Sequence, residues 1–496
     1  MTIEPIWQPW LADAAEPLYR RLALALRHDI ASGRLAVGAR LPTHRELARA
    51  LRTTVVTASR AYREAAVWGL VEGAVGRGTF VAPAPAGPGE VVADTAHRAV
   101  AAGGASGHRG EEGADGAERT NRAGTARHAE LIELTANYIA VSPEPVNAGA
   151  TARGMRLLWD GLTRRYPPGG AAAHREATAV WLERDGWAPR AAEIVATSGA
   201  QHAILVALAA LARPGADVYA EALTYHGIKP AARTLGLHLV AVAIDEHGLV
   251  PAALAALCAG KPGGLVFCQP ALHNPTSSVM PLERRREIAL LARRHDLVLV
   301  EDCVYEFLLA APPPPLAALA PERTCHIVSA AKAFAQGLRT GYLAAPEAWV
   351  PRLRAEVAAT ALAAAAGLLD LAAAWMTDGT AARLVVAKRQ EAARRQELAA
   401  RRFAGIAGLG LRTHPASSHL WLELPPPWTT AAFVEQARRR GVAVNPAPAF
   451  AVEPAPPPAA VRVCLGPLAD PRQLDGALAR LAGLLATAPP PEDAVV

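Results

Sequence analysis

Leu18, Leu22, Leu26 and Ile30 recur every four residues with arginines between them, the stripe of a helix that buries one face. The stripe stops at Ser32-Gly33, a helix-terminating pair. In GARLPTHREL, Thr43 stands three residues before Glu46, the capping-box spacing, so a second helix is predicted from Thr43. A third follows over VVTASRAYREAAVWG, with Val56, Ala58, Ala61, Tyr62 and Ala65 as its inner face and Gly69 as its C-terminal cap. Leu70–Glu72 and Thr79–Val81 read as strands joined by GAVGRG. Three helices and a hairpin over residues 13–82 predict a winged helix-turn-helix. Its third helix would lie in the major groove of double-stranded DNA, with Arg77 at the wing tip reaching for backbone or minor groove. The competing reading is a small helical interaction domain with a solvated charged face.

Beyond this module the pattern changes twice. Residues 83–129 are rich in Ala, Gly, Pro and charge and almost free of large apolar side chains, so they are expected to form a flexible linker. Residues 130–490 alternate apolar runs (EIVATS, DVYAEA, HLVAVAID, GLVFCQP, LVLVED, CHIVSA) with alanine-rich helical stretches. That alternation predicts an α/β domain with a mostly parallel sheet. Pro312 to Pro315 and the PAPAF…EPAPPPAA stretch are expected to be surface loops.

Charge sharpens the division. The 496 residues carry a net charge of +6, and residues 13–82, with 11 arginines against 6 acids, hold five of those six charges. A polyanion partner is therefore expected for the N-terminal module alone. Only four of the 51 basic residues are lysines (Lys229, Lys261, Lys332 and Lys388), which leaves few candidates for amine chemistry. The five cysteines form no C-x-x-C pair, and no metal site is expected. No secretory pattern opens the chain, and its most apolar helical run, Ala358 to Met376, is broken by Asp370. A cytoplasmic protein without a membrane partner is the expectation.

An aldehyde cofactor with a phosphate tail needs an amine, a carboxylate for its ring nitrogen, and phosphate ligands. Asp302 follows the four apolar residues LVLV with Glu301 between, and Tyr305 three residues on can offer a phenol. In CHIVSAAKAFAQGLRTGYL a strand runs to Ser329, Lys332 follows, and Arg339, seven residues later, can clamp a phosphate. EIVATSGAQHAILVAL reads as a strand, a small-residue turn and a helix from near Gln201, whose first N–H groups suit a phosphate. Singly each piece is ordinary. The order SGAQ, aromatic, HNPT, D-x-x-Y, S-x-x-K, G-x-R over about 140 residues is not.

The N-terminal pieces ASGRLAVGARLPTHRELARAL, SRAY and GLVEGAVGRGTFV resemble the GntR family of winged-helix repressors. That resemblance implies that Arg45, Thr57, Arg60 and Arg77 face DNA. Val55 and Val56 stand where the family carries polar residues at the start of the recognition helix; they can meet thymine methyl groups or pack. The six-element order resembles the fold-type-I aminotransferases, which bind pyridoxal 5′-phosphate on a mostly parallel sheet with a smaller C-terminal subdomain. It implies that Lys332 is the Schiff-base lysine and Asp302 the partner of the pyridine nitrogen. Asn274 and Tyr305 would bond the ring oxygen, and Tyr225 would stack on the ring. Gly199, Ala200, Gln201, Ser329 and Arg339 would hold the phosphate. Tyr166 in RYPPGG would reach the neighbouring subunit's phosphate, implying a homodimer, and Arg462 in VRVCLG would bind a substrate or effector carboxylate. Ala331 and Gln336 depart from the family's S-x-S-K and P-G-L-R patterns, and retuned phosphate contacts are expected.

The two modules in this order resemble the MocR subgroup of bacterial regulators. The resemblance implies a regulator that grips an operator and responds to a small amine or amino acid. The alternatives are a working aminotransferase with an appended DNA module, and a DNA-binding protein that uses the cofactor only as a structural staple.

Overall fold

The computed structural model describes residues 18–32, 34–36, 38–51, 53–67, 70–74, 78–82, 131–140, 146, 148–184, 186–261, 263–454 and 457–487. They fall in two units, Met1–Ala123 and Gly124–Val496. Residues 13–17, Gly69, Arg77 and the expected linker 83–129 lie outside the described residues, as does the side chain of Arg45.

In the first unit, α1 (Leu18–Ala31), α2 (His44–Ala50) and α3 (Val55–Val67) precede a hairpin of β1 (Val71–Ala74) and β2 (Gly78–Val81). Leu22 and Leu26 of α1, Leu47 of α2 and Ala58, Ala61, Tyr62 and Ala65 of α3 are buried. The capping box forms: Thr43 N–H donates to Glu46 Oε2 at 2.8 Å and Glu46 N–H to Thr43 Oγ1 at 3.3 Å. The buried Tyr62 hydroxyl donates to the Pro42 carbonyl at 2.7 Å. Val56 departs from the expected inner face and is 69% exposed. At 3.6 residues per turn it stands roughly 200° around the helix from Ala58, on the opposite side.

The second unit is built on a seven-stranded sheet: β3 (Ile194–Thr197), β4 (Asp217–Glu221), β5 (His238–Val242), β6 (Leu265–Cys268), β7 (Val298–Asp302), β8 (Thr324–Ser329) and β9 (Gly341–Ala344). Their spatial order is β3-β9-β8-β7-β6-β4-β5, parallel except for β9, which runs antiparallel to both neighbours. Every residue of β3, β6 and β8 is buried. Helices cover both faces, which is why these strands read as continuous apolar runs instead of alternating. Among those helices are α4 (Ala148–Gly161), α5 (Ala172–Leu182), α6 (Ala200–Leu211), α7 (Ala330–Ala333), α8 (Ala366–Thr377) and α9 (Thr380–Phe403). The α4 and α8 backbones touch: a Cβ on Gly161 would sit 2.3 Å from the Gly367 Cα.

A smaller antiparallel sheet follows, of β10 (Gly410–Arg412), β11 (His419–Glu423), β12 (Asn445–Pro446) and β13 (Ala460–Cys464), ordered β10-β11-β13-β12. The stretch read as a surface loop at PAPAF is core: Ala447 and Phe450 are fully buried and pack with Trp421. Its prolines break helix and strand without excluding the apolar residues between them from a core. The run Pro312–Pro315 is also packed; the carbonyls of Pro313 and Pro314 accept from buried Arg285 at 3.3 and 3.1 Å. Among the described residues no helix is long and apolar enough to cross a membrane.

Candidate cofactor and ligand site

In open α/β sheets the carboxyl ends of the parallel strands face a crevice where ligands bind. The candidate residues collect at that edge. Gly199 follows β3, Tyr225 follows β4, Asn274 follows β6, Asp302 ends β7 and Ser329 ends β8. Arg339 lies just before β9, and because β9 is antiparallel its start reaches the same edge. Sequence separation of more than 100 residues thus collapses into one cleft.

Asp302 is buried, accepting from Gln269 Nε2 at 2.9 Å and more weakly from the Val304 N–H at 3.4 Å. Burial pushes its pKa up to about 6, against the pull of those donors and of Lys332. A cation beside it would be stabilised by, and would restore, the ionised form. Lys332 lies in α7, whose N-cap Ser329 accepts from the Lys332 N–H at 3.2 Å. Its Nζ donates to the Asn137 carbonyl and stands 5.6 Å from the Tyr305 ring centroid. Burial pushes the amine down to about 8, assisted by Arg462 and Arg339 and opposed by Asp302 and Cys464. A neutral amine, the nucleophilic form, is thereby populated near neutrality. Lys388 is buried beneath and donates to the Lys332 carbonyl at 2.8 Å, and burial pushes it to about 8 as well.

The Tyr305 hydroxyl donates to the same Asn137 carbonyl at 3.3 Å. Burial and Asp302 push the Tyr225 phenol up to about 12, so it stays protonated. Gly199, at φ +100°, opens α6; a Cβ there would lie 3.7 Å from Arg339 Nη2. Gly199 therefore allows a small anion to approach the first N–H groups of α6 beside a guanidinium. Gln201 Nε2 donates to the Gly227 carbonyl at 2.8 Å, leaving its buried Oε1 without a partner.

Arg462 reaches the cleft from the smaller sheet. It is 2% exposed, and its Nη atoms donate to Asn274 Oδ1 (2.7 Å), Thr135 O (2.6 Å) and Asn445 Oδ1 (2.9 Å). All three acceptors are neutral, and Nε has no partner. Among the described residues no carboxylate forms an ion pair with this guanidinium, a costly state for a buried charge unless an anion joins it.

Two groups were not named as site residues from the sequence. Asn137 lies 195 positions from Lys332, with no motif around it. Its side chain is pinned by Ser418 Oγ, which donates to Oδ1 at 2.6 Å, and by His419 Nδ1, which accepts from Nδ2 at 3.0 Å. Burial and Arg462 push His419 down to about 3, so its ring is neutral, and Nε2–H donates to the His273 carbonyl at 3.2 Å. Gln269 had a signal: β6 and β7 are parallel with Cys268 beside Glu301, which sets Gln269 beside Asp302. Tyr166 stands apart within this chain; its hydroxyl donates to Asp370 at 3.0 Å and its ring meets His174 edge-on. In the first unit, Thr57 bonds Thr54 at its helix start, and exposed Arg60 lies 4.4 Å over the Tyr19 ring.

The cleft fits a phosphorylated pyridine aldehyde. It holds a partly neutral lysine, a buried carboxylate with acceptor capacity to spare, a phenol, and an anion cradle of glycine, helix start and arginine. Buried polar atoms without partners at Gln201, Gln269 and Arg462 mark it as shaped for polar company.

Comparison with known proteins agrees. Residues 129–481 match aminotransferase class I and II, and residues 18–81 match the bacterial regulatory proteins of the gntR family. The uncharacterized HTH-type transcriptional regulator YdeF of Bacillus subtilis (strain 168) is 29% identical over 465 residues, 92% of each chain. The HTH-type transcriptional regulator TauR of Rhodobacter capsulatus is 31% identical over 281 residues, 54% of this chain and 55% of TauR. Among solved structures, the alpha-aminoadipate aminotransferase LysN of Thermus thermophilus, complexed with N-(5′-phosphopyridoxyl)-L-leucine, shares the fold. Its TM-score is 0.64 at 23% identity, covering 73% of this chain and 95% of LysN. The cofactor is pyridoxal 5′-phosphate. The chain belongs to the aminotransferase class I and II family, in the MocR-type arrangement that sets a gntR-family module ahead of it.

Proposed function

We propose that this protein is a pyridoxal-phosphate-dependent transcription regulator that binds a carboxylate-bearing amine in the aminotransferase-like unit and changes its hold on DNA in response. The observation that carries the ligand class is Arg462: a buried guanidinium bonded only to neutral acceptors, in the same cleft as Lys332 and Asp302. The gntR-family module on the same chain carries the DNA half of the reading.

When bound, the cofactor supplies an aldehyde that exchanges one amine for another and a ring that withdraws electrons. The chain's own residues do the rest. Lys332 would offer its amine to the cofactor's aldehyde and could hold or move a proton at its Nζ. Asp302 would hold the proton on the pyridine nitrogen. Tyr305 and Asn274 would bond the ring oxygen, Tyr225 would stack on the ring, and Gly199, Ala200, Gln201, Ser329 and Arg339 would hold the phosphate. Arg462 orients the incoming carboxylate. Asn137 sets the amine of Lys332 and the phenol of Tyr305 against one carbonyl, so displacing either changes the other.

On the DNA side, Arg45, Thr57, Arg60 and Arg77 are assigned to the duplex, with exposed Val55 and Val56 available to thymine methyl groups. A homodimer is part of the reading. Met155 and Trp159 of α4 and Leu162 just beyond its end are 64, 75 and 75% exposed at helical spacing, an apolar stripe that a second copy would cover. Domain limits of 13–82, 83–129 and 130–490 accompany it.

The test is operator binding by the full-length holo-protein with and without each amino acid. Affinity must shift with at least one of them, since an effector acts only through differential affinity for two states. Unchanged affinity across the set, with sustained keto-acid release on the order of 1 per second, selects the aminotransferase reading instead.

A further inference from the structure

A cavity of about 220 Å³ opens beside the turn that follows Asp302. Its walls come from the end of α5 (Trp181) and the residues just after it (Arg184), the turn after β7 (Phe307), and α9 (Val385, Arg389). It shares Ser329 with the candidate cofactor residues and none of the others.

With the exposed rim residue Glu183 included the charges around it balance, but they are not all paired. Glu301 is buried and accepts from the N–H groups of Leu316 and Ala317 and from His326 Nδ1, all at 2.9 Å. Glu306 meets His326 Nε2 at 3.2 Å and Arg184 Nη2 at 3.0 Å. Burial works against the charged imidazole, but Glu306 and Glu301 outweigh it and push His326 up to about 9. Two carboxylates are thus matched by an imidazolium and Arg184. Glu183 is at the rim and exposed. Arg389 is left over. Its Nε donates to the Phe307 carbonyl at 2.7 Å, and among the described residues no carboxylate pairs with its guanidinium. Arg184 adds a buried Nε–H with no acceptor. A half-buried cation and an unpaired donor in the walls of one cavity, flanked by indole and phenyl rings, have the chemistry of a site for an anion with an apolar body.

We propose that this cavity is a second ligand site, separate from the Lys332 cleft, that takes a small carboxylate with an aromatic or branched aliphatic body. The carboxylate lies on Arg389, and the body lies against Trp181, Phe307 and Val385. Occupancy reaches the cofactor by two short routes. Ser329 is both a wall of the cavity and the cap of the Lys332 N–H. Lys388, the neighbour of Arg389 on α9, holds the Lys332 carbonyl.

The test uses full-length holo-protein carrying Arg462→Met, which removes the carboxylate partner in the first cleft. Phenylacetate is the probe and phenylacetamide its neutral counterpart, with binding followed by saturation-transfer NMR and the cofactor's absorbance recorded in parallel. Phenylacetate should bind and shift the absorbance, and the amide should bind at least tenfold more weakly, a difference of about 1.4 kcal/mol. Arg389→Met should weaken phenylacetate by a similar factor, and Ala310→Trp, at an exposed rim position, should block it without disturbing the fold. Binding unchanged by both substitutions, equal binding of acid and amide, or no binding of phenylacetate up to about 10 mM would overturn the site. Binding with no change in absorbance would overturn the link to Lys332.

Discussion

The buried charge of Arg462 makes a quantitative demand on any effector. Its Nη atoms satisfy three neutral acceptors, so a carboxylate that joins them gains charge-assisted bonds without displacing a competing anion. Bonds of that kind contribute about 1.5–3 kcal/mol each where they form in a buried site. One net bond therefore separates an amino acid from its decarboxylated amine by roughly ten- to 150-fold in affinity. Arg462→Met should remove that discrimination. It should also destabilise the unit, because Asn274 Oδ1, Thr135 O and Asn445 Oδ1 each lose a donor at about 1–3 kcal/mol per unsatisfied group. Loss of an unneutralised buried cation offsets part of this, and a net cost of about 2–4 kcal/mol is expected. The assay is a titration of holo-protein by absorbance, pairing the most effective amino acid with the amine that lacks its carboxyl group, in wild type and Arg462→Met. Thermal unfolding of both proteins measures the stability cost. If Arg462→Met still prefers the acid by tenfold or more, the carboxylate binds elsewhere and the reasoning fails.

Other expectations follow from the same geometry. Borohydride should fix the cofactor to the peptide containing Lys332, and Lys332→Ala should abolish the adduct; recovery of label on buried Lys388, Lys229 or Lys261 would refute the assignment. Asp302 has a raised folded pKa of about 6, so in cofactor-free protein its contribution to stability is present below about pH 4 and is lost as pH rises toward 6. Asp302→Asn should flatten that window in urea unfolding and weaken cofactor retention; an unchanged pH profile would count against it. His326, raised to about 9, contributes stability that is present below about pH 6.5 and is lost as pH climbs through 9, so the melting temperature should fall there and His326→Gln should remove the slope. On DNA, Arg45→Ala and Arg77→Ala should each lower the salt dependence of operator binding by about one counterion. Val55→Ala with Val56→Ala should change stability by less than about 0.5 kcal/mol, because both side chains are exposed, while altering preference at thymine positions.

Much was decided locally and could be read in the chain. The capping box at Thr43, the four-residue stripe of α1 and the apolar runs that became β3 to β8 depend on neighbours a few positions away. The order of short motifs between Gly199 and Arg339 worked for the same reason. Each is a turn at a strand's end, and a parallel sheet sends all such ends to one edge. What depended on distant partners was not legible. Val56 looked apolar and therefore inward, yet only the helix's rotation against α1 decides which apolar residues are covered. PAPAF looked like a loop because proline forbids regular structure, but burial of Phe450 against Trp421 is set by a strand that arrives from elsewhere in the chain. Asn137 carries no sequence mark at all. Its role rests on a carbonyl oxygen, which every residue has, placed by Ser418 and His419 some 280 residues away. The unmatched charges of Arg462 and Arg389 are of the same kind: composition counts cations, but only packing shows which of them, among the described residues, were left without an anion.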